Sequence, residues 1–563
     1  MTSYKNCLLY CKIFVFAMLT LLTFGCAVQQ KPQGGPRDIT PPKLLKANPP
    51  NLTRNFTAKQ IRLDFDEYFR LVNPLQEITI FPWRDADKRP DFKTTQKSLL
   101  ITFKDTLQKN TTYVINFGAA IHDVNEGNLL KNFTYVFSTG SHIDSLSISG
   151  SVTDVLTQKK EKPVPGQPST DVTVMLFTLK EDSLLFDKKK KPTIYTTADT
   201  SGNFTLNNLK AGVYKIYALK ENAPNKIYDN ETEQLGFLNK PINLQHDTSG
   251  VQLKLATLAP TKLRFIDHRF DTDGKMQFIF NRSLEKPSVR IAYPPGLDEQ
   301  KIVDISKTRD TILVYSKNMD FDSVRFVFFE NNKPVDTTYL HKLRKESFPR
   351  TLLLNYGLSK SGSSLKPGTD LHIYANEPID SYDPSLITLM EDSTAVNFTL
   401  LKDPGSAKNF TLKYRWRQRP NYTLTVNDGA FTDIYGDRNK KRVLPKFVID
   451  NPLNYGTLIL KVSVPDTSKA YIVELLNDQY DKTVLIRSDE ITKNTSLVYK
   501  DFPTTRFIVR VIYDDNRNGK WDGGNLKEKI QPENIWIYNK AFDLRPNWEL
   551  NEDLNIPKEV TSP

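Results

Sequence analysis

Cysteine is nearly absent from this 563-residue chain. There are three, Cys7, Cys11 and Cys26, all within the first 26 residues. The chain beyond them can form no internal disulfide, so its stability must come from apolar cores, and at about 100–150 residues per domain it has room for several. Sustained helical periodicity is missing as well. After residue 38 no apolar i, i+3, i+4, i+7 stripe runs beyond about ten residues, which argues against helix bundles and coiled coils. Catalytic signatures are also missing. The six histidines, His122, His142, His246, His268, His341 and His372, are scattered singly, with no His-x-x-x-His pair. There is no Gly-x-Ser-x-Gly elbow, no phosphate-binding loop and no cysteine nucleophile in the body of the chain. Carboxylates are plentiful, so a glycosidase-like pair stays open, but the expectation is a protein that is not an enzyme. The net charge of +12 and pI near 9.1 come from dispersed residues. The one dense basic run, Lys188 to Lys191, is closed by Pro192 and interleaves no aromatics, which reads as a solvated hairpin tip and not as a nucleic-acid surface.

What is present begins with an N-terminal leader. Lys5 and Lys12 precede an uncharged apolar run, Ile13 to Phe24, then Gly25 and Cys26. A positive start, a short apolar stretch and a small residue before a cleavage point make a secretory signal, and the run is too short to span a bilayer comfortably. Leu22-Thr23-Phe24-Gly25-Cys26 resembles the lipobox of bacterial lipoproteins. That resemblance implies removal of residues 1–25 and lipid on the Cys26 sulfur. Residues 26–37, rich in Gln, Gly and Pro, read as a flexible tether. No acid follows Cys26 until Asp38, whereas surface-directed Bacteroidetes lipoproteins carry an acidic cluster there. By that resemblance the expected place is the outer membrane, facing the periplasm, with exposure at the cell surface as the other reading.

From Asp38 on, strand follows strand. Ile61 to Phe65, Tyr113 to Phe117 and Phe133 to Phe137 alternate apolar and polar residues, and Asn, Asp, Gly and Pro fill the loops between them. Short half-buried strands at regular spacing predict an all-β chain of sandwiches. Several motifs lie between 38 and 141: Thr40-Pro41-Pro42, Asp66-Glu67, Asn110-Thr111-Thr112-Tyr113, the loop His122 to Asn128, and Phe137-Ser138-Thr139-Gly140. Together they make this segment resemble the bacterial Ig-like domain first described in S-layer proteins. The plan recurs at 346–452. Leu371 to Pro378 parallels Ile61 to Glu67, Asn421 to Val426 parallels the strand at Tyr113, and Thr432 to Asp437 parallels the loop at Asp123. Glu67 and Asp123 are 56 positions apart, and so are Glu377 and Asp433.

Between the two copies, Gly150-Ser151-Val152-Thr153-Asp154, Asp199 to Phe204, Gly212 and Tyr214 resemble the frame of prealbumin-like carboxypeptidase-regulatory and Cna-B modules. The resemblance implies a non-catalytic β-sandwich over 142–255. Residues 256–345 read as a further sandwich of unknown family, and 453–563 as a C-terminal β-domain.

The clearest candidate site lies in that last segment. Asp514, Asn516, Asn518 and Asp522 place oxygen side chains at loop positions 1, 3, 5 and 9, with Gly519 at 6 and the Lys520 carbonyl at 7. This is the front of a calcium loop. Position 12 is Asn525 rather than a bidentate Glu, and Glu528 lies nearby. The flanks read as strand rather than helix, and an ion-free Asx-rich turn is the other reading.

The sequence thus leads to a lipid-anchored, non-catalytic envelope protein serving as a stalk or interaction scaffold. Its partners would be the membrane and an envelope protein or glycan. The alternative is a carbohydrate binder using Trp83, Trp416 or Trp536 as stacking platforms, and behind it an enzyme with an unrecognised carboxylate site.

Overall fold

The computed structural model describes residues 38–82, 89–156, 172–181, 191–222, 225–260, 262–271, 273–342, 350–359, 363–479 and 482–559. The leader, the tether with Cys26, Trp83 and most of the 188–191 run lie outside the described residues. The fold is all-β: described helix amounts to one turn at Pro74–Glu77, residues 179–181 and isolated 3-10 turns. The chain divides into two compact units, 1–144 and 145–563.

In the first unit, the strands Leu44–Asn48, Gln60–Phe65, Ser98–Thr102 and Asp91–Thr95 form one sheet in that order. Thr134–Ser138, Thr112–Asn116 and Thr79–Phe81 form a second, and Phe69–Leu71, Ile121–Asp123 and Leu129–Leu130 a third. The period-two pattern is the cause of this layering. Along Gln60–Phe65 the residues Ile61, Leu63 and Phe65 are buried, while Gln60 and Arg62 face solvent. Their core closes on Tyr113, whose ring stacks on Phe137 at 5.2 Å.

Residues 354–449, in the second unit, repeat the four-stranded sheet and one strand pair, while the facing sheet differs, with Thr394–Val396, Ile387–Glu391, Tyr422–Val426 and Arg442–Val443 in that order. Leu354–Tyr356, Leu371–Ala375, Asn409–Lys413 and Thr399–Lys402 form the matching four-stranded sheet. Ile379–Tyr382 pairs with Phe431–Asp433 as Phe69–Leu71 pairs with Ile121–Asp123. Two polar contacts recur with the topology. The Tyr113 hydroxyl oxygen accepts the Gln108 N–H at 2.8 Å, and the Tyr422 hydroxyl oxygen accepts the Arg417 N–H at 2.8 Å. A buried tyrosine needs such a partner. Asp66 accepts the Lys43 N–H at 2.8 Å, and Asn376 accepts the Leu353 N–H at 2.7 Å. Each side chain ties the second strand's exit to the start of the copy.

Residues 146–257 form one large sheet in the order Ile194–Thr197, Thr173–Thr178, Gly212–Lys220, Gln234–Phe237, Thr248–Thr257, Leu146–Asp154 and Asn203–Leu209. Leu146–Asp154 runs parallel to Thr248–Thr257, and the register shifts between Ile148 and Gly150. There the two backbones close in: a Cβ on Gly150 would stand 1.9 Å from the Val251 carbonyl oxygen. The first glycine of the module's motif is therefore a packing requirement.

Two further sheets occupy 265–341, and two more occupy 455–555. The last segment does not continue the chain outward. It folds back on 145–259. Val155 packs with Ile472, Ile512 and Ile535, and Leu526 joins the core of Met175, Phe177 and Tyr217. Gln531 Nε2 donates to the Phe237 carbonyl at 3.1 Å, and the Ala259 N–H donates to the Gly524 carbonyl at 2.9 Å.

Candidate functional site

The 514–522 loop leaves the strand Arg506–Asp514 and re-enters at 533. Gly519, at φ 73°, allows the bend the loop needs. Asp514 is buried, and its two oxygens accept the N–H groups of Asn518 at 3.1 Å and Gly519 at 2.9 Å. The Asn516 oxygen accepts the Asn518 N–H at 3.1 Å, and the Asn518 oxygen accepts the Lys520 N–H at 3.0 Å. Both amide nitrogens, Asn516 Nδ2 and Asn518 Nδ2, donate to Asp522 Oδ2. The fold therefore gathers the side chains of Asp514, Asn516, Asn518 and Asp522, and places Lys520 through its backbone.

Asn525 is elsewhere. It pairs with Ile530 across its own tight turn and accepts the Glu528 N–H at 3.2 Å, while Glu528 is exposed. The carboxylate that closes the loop is Glu533, which the spacing did not single out. It accepts the Asp515 N–H at 3.0 Å and the Asp522 N–H at 2.9 Å. Burial pushes its pKa up to about 7, with the charges of Asp522 and Asp514 adding to the shift. No loop-spacing rule points to a residue this far along the chain. Its only local mark is an acid set among buried neighbours just before the strand Ile535–Ile537. Among the described residues, no three His, Cys, Asp or Glu side chains form a ready-made metal cage.

A second polar cluster lies where 263–342 meets 350–449. Glu377 and Asp433, the acids spaced like Glu67 and Asp123, are 2% and 1% exposed. Asp433 accepts the N–H groups of Tyr435 and Asp437, each at 2.9 Å, and so shapes its loop. Its other oxygen, Glu377 Oε2 and the Tyr435 hydroxyl are buried without a hydrogen-bond partner. Lys275 is held by Asp273 at 2.6 Å, and Lys408 by Asp304 at 2.8 Å. The Arg350 guanidinium lies 3.6 Å from the centroid of the Tyr435 ring. Burial, reinforced by Asp273 and opposed by Lys275 and Lys408, lifts the Glu377 pKa to about 7. Burial also raises Asp433, whereas backbone N–H groups of Glu126, Asn128, Asn125 and Gly127 outweigh burial and hold Asp123 low.

The remaining candidates are taken up by structure. His122 Nε2 meets the Ala119 carbonyl at 3.0 Å, and His372 Nδ1 meets the Thr411 hydroxyl at 3.1 Å. Trp416 and Trp536 pack against the cores of their segments, so neither ring is a free platform. Among the described tryptophans, Trp548 is the exposed one, with Arg545 5.2 Å from its ring centroid.

No curated protein matches the chain. Among solved structures, it is similar to the S-layer protein rSbsC(31-844) at 10% identity, over 90% of this chain and 67% of that one, with a TM-score of 0.15. The full-length RrgB pilus protein from Streptococcus pneumoniae is similar at 10% identity, over 75% and 100% of the two chains, with a TM-score of 0.15. Domains A168-A170 of titin are similar at 12% identity, over 51% and 97%, with a TM-score of 0.13. Residues 38–139 match the family model of the bacterial Ig-like domain, so this all-β chain carries a bacterial Ig-like domain directly after residue 37.

Proposed function

We propose that the protein is a non-catalytic scaffold of the bacterial cell envelope, anchored by lipid on Cys26 and facing the periplasm from the outer membrane. The observation that carries the reading is the use to which buried acids are put. Asp123, Asp514 and Glu533 spend both oxygens, and Asp433 one of its two, on backbone N–H groups that set loop shape. Acids used in this way serve architecture, and repeated Ig-like modules suit spacing and docking. The anchor is tested by mass spectrometry of the mature N-terminus. Wild type should begin at an acylated Cys26 and stay with membranes, since two chains hold stably where one is marginal. Cys26→Ser should be released unacylated. A wild-type protein found soluble with a free N-terminus defeats the anchor.

The same reading includes a weak calcium site. Asp514, Asn516, Asn518 and Asp522, the Lys520 carbonyl and Glu533 would hold the ion, an all-oxygen set suited to a hard cation. With half of the four loop side chains neutral, affinity should fall in the roughly millimolar extracellular class. The whole chain is the right sample, because the loop segment is packed on 145–259. Calcium at about ten times its Kd should raise the melting temperature, a gain of about 1.4 kcal/mol by mass action. Glu533→Gln should weaken this response, and Asp514→Ala should abolish it. No calcium-dependent shift in wild type at several times a millimolar concentration leaves the loop an Asx turn.

A further inference from the structure

The strand Lys482–Ile491 stands at the free edge of its sheet. It pairs with Ala470–Gln479 on one side, and no described strand pairs with the other. A long edge strand offers an unpaired row of backbone donors and acceptors, and proteins usually guard it with charge or a bulge. Here charge guards the second half of the strand, and only a one-residue register shift marks the first. Arg487 and Asp489 are paired at 2.9 Å, and Asp489 accepts the Tyr499 hydroxyl at 2.7 Å. Before them, Val484, Leu485 and Ile486 are three consecutive apolar residues exposed at 52%, 49% and 39%. Val484 and Leu485, consecutive in the strand, point to opposite faces, so the apolar surface wraps the edge. The register shifts here as well, with Leu476 opposite Leu485 and Leu475 opposite Arg487, which leaves Ile486 as the extra residue.

The charge order of the strand names the occupant. It begins basic at Lys482 and ends acidic at Asp489-Glu490. Antiparallel pairing of the strand with itself, centred between Leu485 and Ile486, sets Lys482 opposite Asp489 twice and Val484 opposite Arg487 twice. A parallel partner would set like charges side by side. Such a contact is isologous and closes at two copies.

We propose that 482–491 is a homotypic docking strand, through which two copies of this chain join by antiparallel pairing and merge their C-terminal sheets. The test uses the full chain in the membranes of the cells that make it. Leu485→Cys is treated with a short bis-maleimide and compared with wild type, for its native cysteines, and with Leu453→Cys, which is 54% exposed elsewhere. The expected result is a product of twice the chain mass, at least tenfold above both controls. Adding Val484→Lys and Ile486→Lys, or an excess of a synthetic 482–491 peptide that caps the edge, should remove it. A product of any other mass, a yield equal to Leu453→Cys, or a dimer indifferent to both the lysines and the peptide overturns the proposal. The peptide arm decides the matter if the lysine variant does not fold.

Discussion

Replacing Glu377 with Gln will stabilise the protein at pH 8 and leave it almost unchanged at pH 4. In the folded chain the Glu377 carboxyl titrates at about 7, against the 4.5 of an ordinary glutamate. The folded state thus binds this proton more tightly than the unfolded one. Its stabilising contribution is complete below about 4.5, is lost as pH climbs through 7, and stays lost above. At about 1.4 kcal/mol per unit, the difference is on the order of 3 kcal/mol. Gln keeps the shape of the protonated acid without its charge and so removes the loss. Urea unfolding of wild type and variant at pH 4, 6 and 8 measures this. Identical pH dependence in the two proteins would mean that Glu377 is solvated and the junction unstrained. Glu533 is raised in the same direction to about 7, so the variant should retain a second slope in the same window.

The other large effect belongs to Gly150. Gly150→Ala drives a methyl group into the Val251 carbonyl, with the Val251 carbonyl carbon also only 2.7 Å away. Backbone on the parallel strand must move, because no flexible side chain is there to give way. A cost on the order of 3 kcal/mol or more is expected. Gly250→Ala is the control. It lies on the neighbouring strand at φ 75° with open space around its Cβ, and should cost about 1 kcal/mol for the left-handed backbone alone. Thermal melting of the two variants, with protease sensitivity as a second readout, gives the comparison. Equal effects would show that the parallel strands separate easily at this point.

The local grammar of the chain was open to reading, and the long-range packing was not. Ile61, Leu63 and Phe65 announce their strand because a half-buried sheet imposes period two on the residues themselves. The Tyr113 and Tyr422 motifs announce a shared local plan because each hydroxyl is satisfied five residues upstream, within its own stretch of sequence. Glu377 was visible as one half of a repeated spacing. What surrounds it was not, because Asp273 and Lys275 arrive from a different sheet through no pattern that sequence distance preserves. Glu533 escaped for a related reason: its oxygens are recruited by backbone N–H groups, which have no residue signature. The approach of Gln531 to Phe237 joins positions 294 apart, beyond the reach of any local period.

That approach also decides how the chain would bear tension. A pull entering at Ser145 and leaving at the C-terminus meets Leu146–Asp154 at one end and Glu549–Asn555 at the other. Between them the Val155, Ile472, Ile512 and Ile535 contact and the Lys254–Asn534 bond form a short bridge. The bridge joins the segments of those two strands without passing through the two packed cores of residues 260–452.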